Sequence, residues 1–106
     1  MMTSGQHRGP MGSELAYALS KGAIHKATSS LADELADRAI TVNTVNPGPT
    51  DTGWADAATH RAVLAQMPQG RWGQPSDAAR LIGWLCSDDA GWITGQVIDS
   101  EGGFRR

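Results

Sequence analysis

One cysteine, Cys86, stands in the 106-residue sequence, which excludes an internal disulfide and any site built from several thiolates. No apolar run approaches the ~18–20 residues that cross a bilayer. Basic runs are equally scarce. The longest is Arg105-Arg106, and nine Lys and Arg against eleven Asp and Glu leave a net charge of −2. That balance excludes nucleic acid and anionic membrane surfaces as main partners. Met1-Met2-Thr3-Ser4-Gly5 has neither the basic nor the apolar region of a secretory signal, so the expected location is cytoplasmic. Charged residues are few, 19%, beside 40% from the AVILMFWYC set, as in a globular chain of one domain or part of one.

Glycine is what the chain has in plenty: thirteen residues, which with five prolines divide it sharply. Thr3 to Ser13 reads as loop, broken by Gly5, Gly9-Pro10 and Gly12. Ser13 is the expected N-cap of a helix over Glu14 to Asp37. Leu15, Leu19, Ala23, Ala27, Leu31 and Leu35 recur along it every four residues as one apolar stripe. Ile40-Thr41-Val42-Asn43-Thr44-Val45 is β-branched at five of six positions and predicts a buried strand, ended by Asn46-Pro47-Gly48-Pro49. Thr50 to Trp54 is loop, and Asp56 to Met67 a short helix with Val63, Leu64 and Met67 inward. Pro75 opens another helix, favoured at that end by Asp77 and continued from Ala78 to Cys86 on Leu81, Ile82 and Leu85. Val97-Ile98-Asp99 predicts a short last strand, closed by Gly102-Gly103.

Strands alternating with helices imply an α/β fold with parallel strands. Met1 to Ser4 reads as the end of a third strand. So few helices cannot cover both faces of a parallel sheet, and the expectation is that part of the domain lies upstream of Met1.

Chemistry enters with Tyr17 and Lys21, which at i, i+4 share one helix face a turn apart. A phenol titrates near ~10 and moves protons poorly at neutral pH, but a neighbouring ammonium favours its phenolate. The pair is an acid/base device, although the same spacing also arises on solvated helix faces. Its surroundings separate the two. Tyr17-Ala18-Leu19-Ser20-Lys21-Gly22-Ala23 resembles the Tyr-x-x-x-Lys helix of the short-chain dehydrogenases/reductases. Ser4, thirteen residues before Tyr17, stands where that family places its catalytic serine. Asn46-Pro47-Gly48-Pro49-Thr50-Asp51-Thr52 is similar to its Pro-Gly loop over the nicotinamide, and Gly70 to Ala79 to the entry into its last long helix. Ile93-Thr94-Gly95-Gln96-Val97-Ile98-Asp99 with Gly102-Gly103 is similar to its C-terminal strand and turn, most of all in 3-oxoacyl-carrier-protein reductases.

The resemblance implies the C-terminal half of a Rossmann-type doubly wound parallel sheet. It implies hydride transfer between NAD(P)(H) and a small-molecule carbonyl or secondary alcohol. Tyr17 would be the acid/base, Lys21 would tune it and hold the nicotinamide ribose, and Ser4 would bond the substrate oxygen. Pro47, Gly48, Thr50 and Thr52 would contact the cofactor, while Ser4, Gln6 and Trp54 would face substrate. A mobile substrate loop would occupy about 47–70, no metal is implied, and the full-length form would be a homodimer or homotetramer.

The family's Gly-rich turn, which seats the pyrophosphate at a helix N-terminus, has no counterpart here. The position that selects NAD or NADP and the family's catalytic Asn are missing too, so this chain alone is expected to bind cofactor poorly. The competing reading is an inactive α/β piece that serves as an association module, presenting Leu81 to Cys86 or the strand edge beside Ser4. The remaining reactive residues take ordinary readings. His7, His25 and His60 are surface or loop histidines, Cys86 is a buried inert thiol, and Asp88-Asp89 caps a turn. Trp72, Trp84 and Trp92 serve core or subunit contacts, and Ser20 supports its helix.

Overall fold

A computed structural model describes all residues, 1–106. Helix α1 spans Leu15–Leu35, strand β1 Thr44–Asn46, helix α2 Ala57–Ala65, helix α3 Pro75–Leu85 and strand β2 Val97–Asp99. The strands are parallel, with Thr44 opposite Val97, Val45 opposite Ile98 and Asn46 opposite Asp99. On the other side of β1, Met2 bridges Val45 in parallel: Thr3 N donates to Val45 O at 3.0 Å and Val45 N to Met1 O at 3.0 Å. The expected third strand is therefore present as one bridge, and the order is Met1–Thr3, β1, β2. Two parallel neighbours cannot be joined by a hairpin, so α1 must cross from the first segment to β1. Its N-terminal turns consequently lie at the carboxyl edge of the strands.

Threonine hydroxyls fix α1 to the sheet. Thr28 Oγ1 meets Thr44 Oγ1 at 2.7 Å, with both residues fully buried. Thr3 Oγ1 donates to Lys21 O at 2.9 Å. Ala32 is buried a turn beyond Thr28, where Gly95 approaches it. The leucine stripe is not this face: Leu15, Leu19 and Leu31 are 63%, 65% and 39% exposed. Each four-residue step turns ~40° past a full circle, so six such residues wind around the helix instead of sharing one side.

Four further boundaries differ from the sequence reading. Ser13 caps nothing, because Gly12–Glu14 forms a 3-10 turn and Glu14 precedes α1. Ile40 to Asn43 stay outside the ladder and are held by irregular bonds, Val42 O accepting from Gly95 N at 2.7 Å and Asn43 Nδ2 donating to Ile93 O at 2.7 Å. Ala39, left-handed at φ 55°, turns the chain there, and Ile40 is exposed. Asp56 stands before α2 as its N-cap, accepting from Thr59 N at 2.7 Å. Cys86 is exposed, contrary to the expected burial, because α3 ends at Leu85 and Cys86 already belongs to the turn.

The Cα radius of gyration is 15.0 Å and the body measures 48 × 29 × 20 Å. A compact domain of this length has a radius of about 13 Å. The elements spread along one sheet edge without closing around a common core, and the packed residues are mostly small: Ala32, Val45, Ala78 and Ala90 beside Met67 and Trp72.

Candidate active site

Ser4 follows the Met2–Thr3 segment, Pro47 follows β1 and Ser100 follows β2, so three loops leave the same carboxyl edge. In open parallel sheets this is the edge that takes ligands. Ser4 is extended (φ −143°, ψ −175°) and half-buried. The next residues turn at once, Arg8 N donating to Gly5 O at 2.8 Å. The Gln6 amide is engaged within that turn, its Oε1 accepting from Ser4 N at 3.3 Å. Thr3, buried beside Ser4, holds the backbone of Lys21, so the bond ties the residue next to Ser4 to the Lys21 end of the Tyr17–Lys21 turn of α1. Tyr17 is half-exposed, and Lys21 Nζ lies 5.6 Å from its ring centroid, within cation–π range. Ser20 Oγ donates to Tyr17 O at 2.8 Å, a helix-supporting bond.

Across the edge, the Pro-Gly loop is held by Asn46. Its Oδ1 accepts from Gly48 N at 3.1 Å, and its Nδ2 donates to Asp99 Oδ1 at 2.8 Å and to Glu101 Oε1 at 2.6 Å. Asn46 is fully buried and Glu101 8% exposed, so the loop rests on a largely buried polar knot whose Asp99 opens to solvent. Gly48 takes φ 63°, and a Cβ there would come within 2.8 Å of Glu101 Cα and Cβ. The glycine is thus demanded by a neighbour in its own chain, besides any approach of a cofactor. Thr50 O accepts from Trp54 Nε1 at 3.1 Å, while Thr50 N makes no hydrogen bond within the chain and Thr52 is exposed.

Trp54, 62% exposed, packs edge-on against Trp72 at 5.8 Å. His60 of α2 stacks on Trp72 at 4.8 Å, and Trp72 Nε1 donates to His60 O at 3.1 Å. Trp72 is buried as expected of a core residue, whereas Trp84 is 43% and Trp92 99% exposed. The three aromatics dock α2 and the preceding loop onto the 70–73 segment.

A cleft of about 610 Å³ lies at the β2 end of the edge, between Pro47, Met67, Gly73, Asp99 and Glu101. Ser4, Tyr17 and Lys21 do not line it. Its arginines are committed: Arg8 to Asp99 at 3.8 Å, and Arg71 in a two-pronged bond to Asp77 at 2.7 and 3.1 Å. Burial works against ionisation of Asp99, but bonds from Asn46 and His7 and the charges of His7 and Arg8 outweigh it and hold the carboxyl below its ordinary range. No group of three or more His, Cys, Asp or Glu is placed to hold a metal ion.

Asp77 also accepts from Gln74 N at 2.8 Å, at the start of α3. The Arg71 bond, with Gln74 N, lowers its pKa from 3.8 to about 2. A carboxyl depressed on folding adds stability that is complete above its unfolded pKa and fades as pH falls toward the folded one. Asp77→Asn is therefore expected to lower the urea midpoint at pH 7, with the gap to wild type closing between pH 4 and pH 2. A gap independent of pH would assign the loss to packing.

The chain matches the family model described as Enoyl-(Acyl carrier protein) reductase over residues 1–105. The chain belongs to the short-chain dehydrogenase/reductase family. An uncharacterised oxidoreductase of Bacillus subtilis is 57% identical over 105 residues, covering 99% of this chain and 42% of that protein. A 3-oxoacyl-acyl-carrier-protein reductase of Pseudomonas aeruginosa is 41% identical over 91 residues, covering 83% of this chain and 37% of that protein. The crystal structure of an angucycline C-6 ketoreductase with bound NADP superposes with a TM-score of 0.89 at 34% identity, over 96% of this chain and 41% of that one.

The α/β arrangement is that of the short-chain dehydrogenase/reductase Rossmann fold, as the motifs implied. The chain spans about two-fifths of the length of the curated relatives it matches, 42% of one and 37% of the other. Within this short-chain dehydrogenase/reductase segment, sequence reasoning missed Asn46 as a residue with a task, and with it Glu101 and Arg106. A polar residue just before Pro-Gly looks like a turn former, and its partners lie 53 and 55 positions away. No local signal could have found them.

Proposed function

We propose that the full chain carrying this sequence transfers hydride between NAD(P)(H) and a small-molecule carbonyl or secondary alcohol, with Tyr17 as acid and base. Residues 1–106 would form the C-terminal catalytic portion of one Rossmann domain, with a substrate loop over about 47–70. The observation that carries the reading is the Thr3–Lys21 bond, which sets the Tyr17–Lys21 turn beside Ser4 at the ligand-taking edge.

The residues present fit the nicotinamide end of the cofactor. Thr50 offers an unpaired N–H and Thr52 an exposed hydroxyl beside Pro47 and Gly48. No Gly-rich strand-to-helix turn in 1–106 offers a pyrophosphate seat. The bound cofactor supplies the hydride. Tyr17 Oη gives its proton to the carbonyl oxygen as the new C–H bond forms, and takes it back from the alcohol in the reverse direction. Lys21, its Nζ 5.6 Å from the Tyr17 ring centroid, brings a positive charge to the same helix face. Ser4 Oγ donates a hydrogen bond to the same oxygen as charge builds there, and Gln6 and Trp54 border the substrate.

A second reading is favoured by the open leucines of α1. Leu15 and Leu19, more than 60% exposed, suit an association surface and, in the full chain, a homodimer or homotetramer. No helix is long and apolar enough to cross a membrane.

Titration of residues 1–106 with NADH and NADPH, followed by tryptophan fluorescence, and carbonyl reduction by the full chain together separate the two readings. Weak or undetectable binding is expected from the segment, and carbonyl reduction from the full chain. Saturable micromolar binding to 1–106, about −8 kcal/mol, would mean that the missing turn is not needed. A full chain inert toward carbonyls with either cofactor leaves the association reading alone.

A further inference from the structure

Glu101 and Arg106 form an ion pair wedged between the backbones of two loops. Arg106 Nη1 donates to Glu101 Oε2 at 2.8 Å and Nη2 donates to Oε1, a planar two-pronged bond. On one side, the guanidinium lies so close over Gly5 that a Cβ there would overlap it, and a Cβ at Gly9 would meet the Arg106 stem at 3.6 Å. On the other, Glu101 touches Gly48 closely enough to exclude a Cβ. Glu101 is also bound by Asn46, whose Oδ1 holds the Gly48 amide. The pair therefore touches the turn after Ser4 through Gly5 and the Pro-Gly loop through Gly48, in both cases against bare backbone.

We propose that the Glu101–Arg106 pair is a positioning bridge, setting the turn that carries Ser4 at a fixed distance from the loop that carries Pro47 and Gly48. Its consequence for catalysis rests on the reductase reading above, whereas the bridge itself does not. A guanidinium suits the task because its flat fork keeps one geometry, which a lysine ammonium cannot reproduce. Glu101 is 8% exposed while Arg106 keeps contact with solvent, so removal of the guanidinium leaves a buried carboxylate short of its cationic partner. Arg106 and Glu101 touch no candidate catalytic side chain, which makes them positioning residues.

Amide hydrogen exchange on the full chain tests the bridge directly. Arg106→Ala is expected to speed exchange at least tenfold at Arg8 N, bonded to Gly5 O, and at Gly48 N, bonded to Asn46 Oδ1. The β1–β2 amides Thr44 N and Ser100 N should stay within twofold, and Arg106→Lys should fall between. Unchanged exchange at either loop, or an even rise that includes the ladder, overturns the bridge.

Kinetics then test action through Ser4. On a Ser4→Ala background, Arg106→Ala should lower kcat at saturating cofactor, where the hold of the Pro-Gly loop no longer limits the rate, by no more than about twofold, whereas multiplied losses in kcat overturn that action. Tyr17→Phe separates the two ideas. If it keeps the wild-type rate while both loops loosen in Arg106→Ala, the Tyr17 assignment fails and the bridge stands. If it removes the rate while the loops stay protected, the bridge fails alone.

Discussion

Tyr17→Phe in the full chain is expected to lower kcat for carbonyl reduction by about 10²–10⁴-fold, the usual contribution of a placed general acid, with KM for the carbonyl little altered. The substitution removes one oxygen and little else. Tyr17 is half-exposed, and its ring meets Lys21 Nζ at 5.6 Å through the π face, a contact that phenylalanine keeps. Surface changes of this kind move stability by no more than about 0.5 kcal/mol, so an unfolding midpoint near wild type is expected beside the kinetic loss. Tyr17 is 46% exposed, so its hydroxyl is open to water, and the Thr3–Lys21 bond fixes the Lys21 end of its helical turn. Steady-state kinetics with NADH and NADPH decide the matter. A Phe variant at the wild-type rate would move the proton transfer to another group.

What the sequence made readable was local. Pro75 with Asp77 marks the start of α3 because proline and a carboxylate each favour a helix N-terminus, and Val97–Asp99 is a strand as the β-branched pattern implies. Resemblance to the family's motifs picked out Ser4, Tyr17, Lys21 and Pro47 to Thr52, and the loops carrying Ser4 and Pro47 leave the same carboxyl edge. The buried face of α1 was not readable. Leucines advertise a core, yet the sheet is met by Thr28 and Ala32, because a hydroxyl pair at 2.7 Å demands small residues and close backbones. Ile40 to Val42 have the composition of a strand but lie beside a turn, 93–96, that offers irregular partners and no ladder. Cys86 sits in an apolar helical pattern whose last turn the helix does not complete. The polar knot beneath the Pro-Gly loop was invisible for a different reason. Glu101 and Arg106 look like a solvated charged tail, and only the parallel register of Asn46 with Asp99 brings them under the loop.

Asn46→Ala follows from that knot and carries the largest expected loss of stability. The change deprives Gly48 N of its acceptor and takes a donor from both Asp99 and Glu101. Hydrogen bonds to charged groups contribute about 1.5–3 kcal/mol each, and breaking a buried charged network typically costs about 3–5 kcal/mol. A loss near about 3 kcal/mol, more than two powers of ten in the folding equilibrium, is expected in urea unfolding of the full chain. Asn46→Asp distinguishes lost bonds from lost volume. It keeps the size and the acceptor for Gly48 but sets a third carboxylate against Asp99 and Glu101. Like charges raise the pKa of the introduced carboxyl above its unfolded value, so the folded state binds the extra proton more readily. Stability of that variant should then fall as pH rises, giving a deficit at pH 7 that shrinks toward pH 5. Wild-type Glu101 stays ionised over this range, because the Arg106 bond holds its carboxyl below the ordinary value. An Asn46→Ala variant within 0.5 kcal/mol of wild type, or an Asn46→Asp deficit that ignores pH, would mean that the loop is held by something other than Asn46.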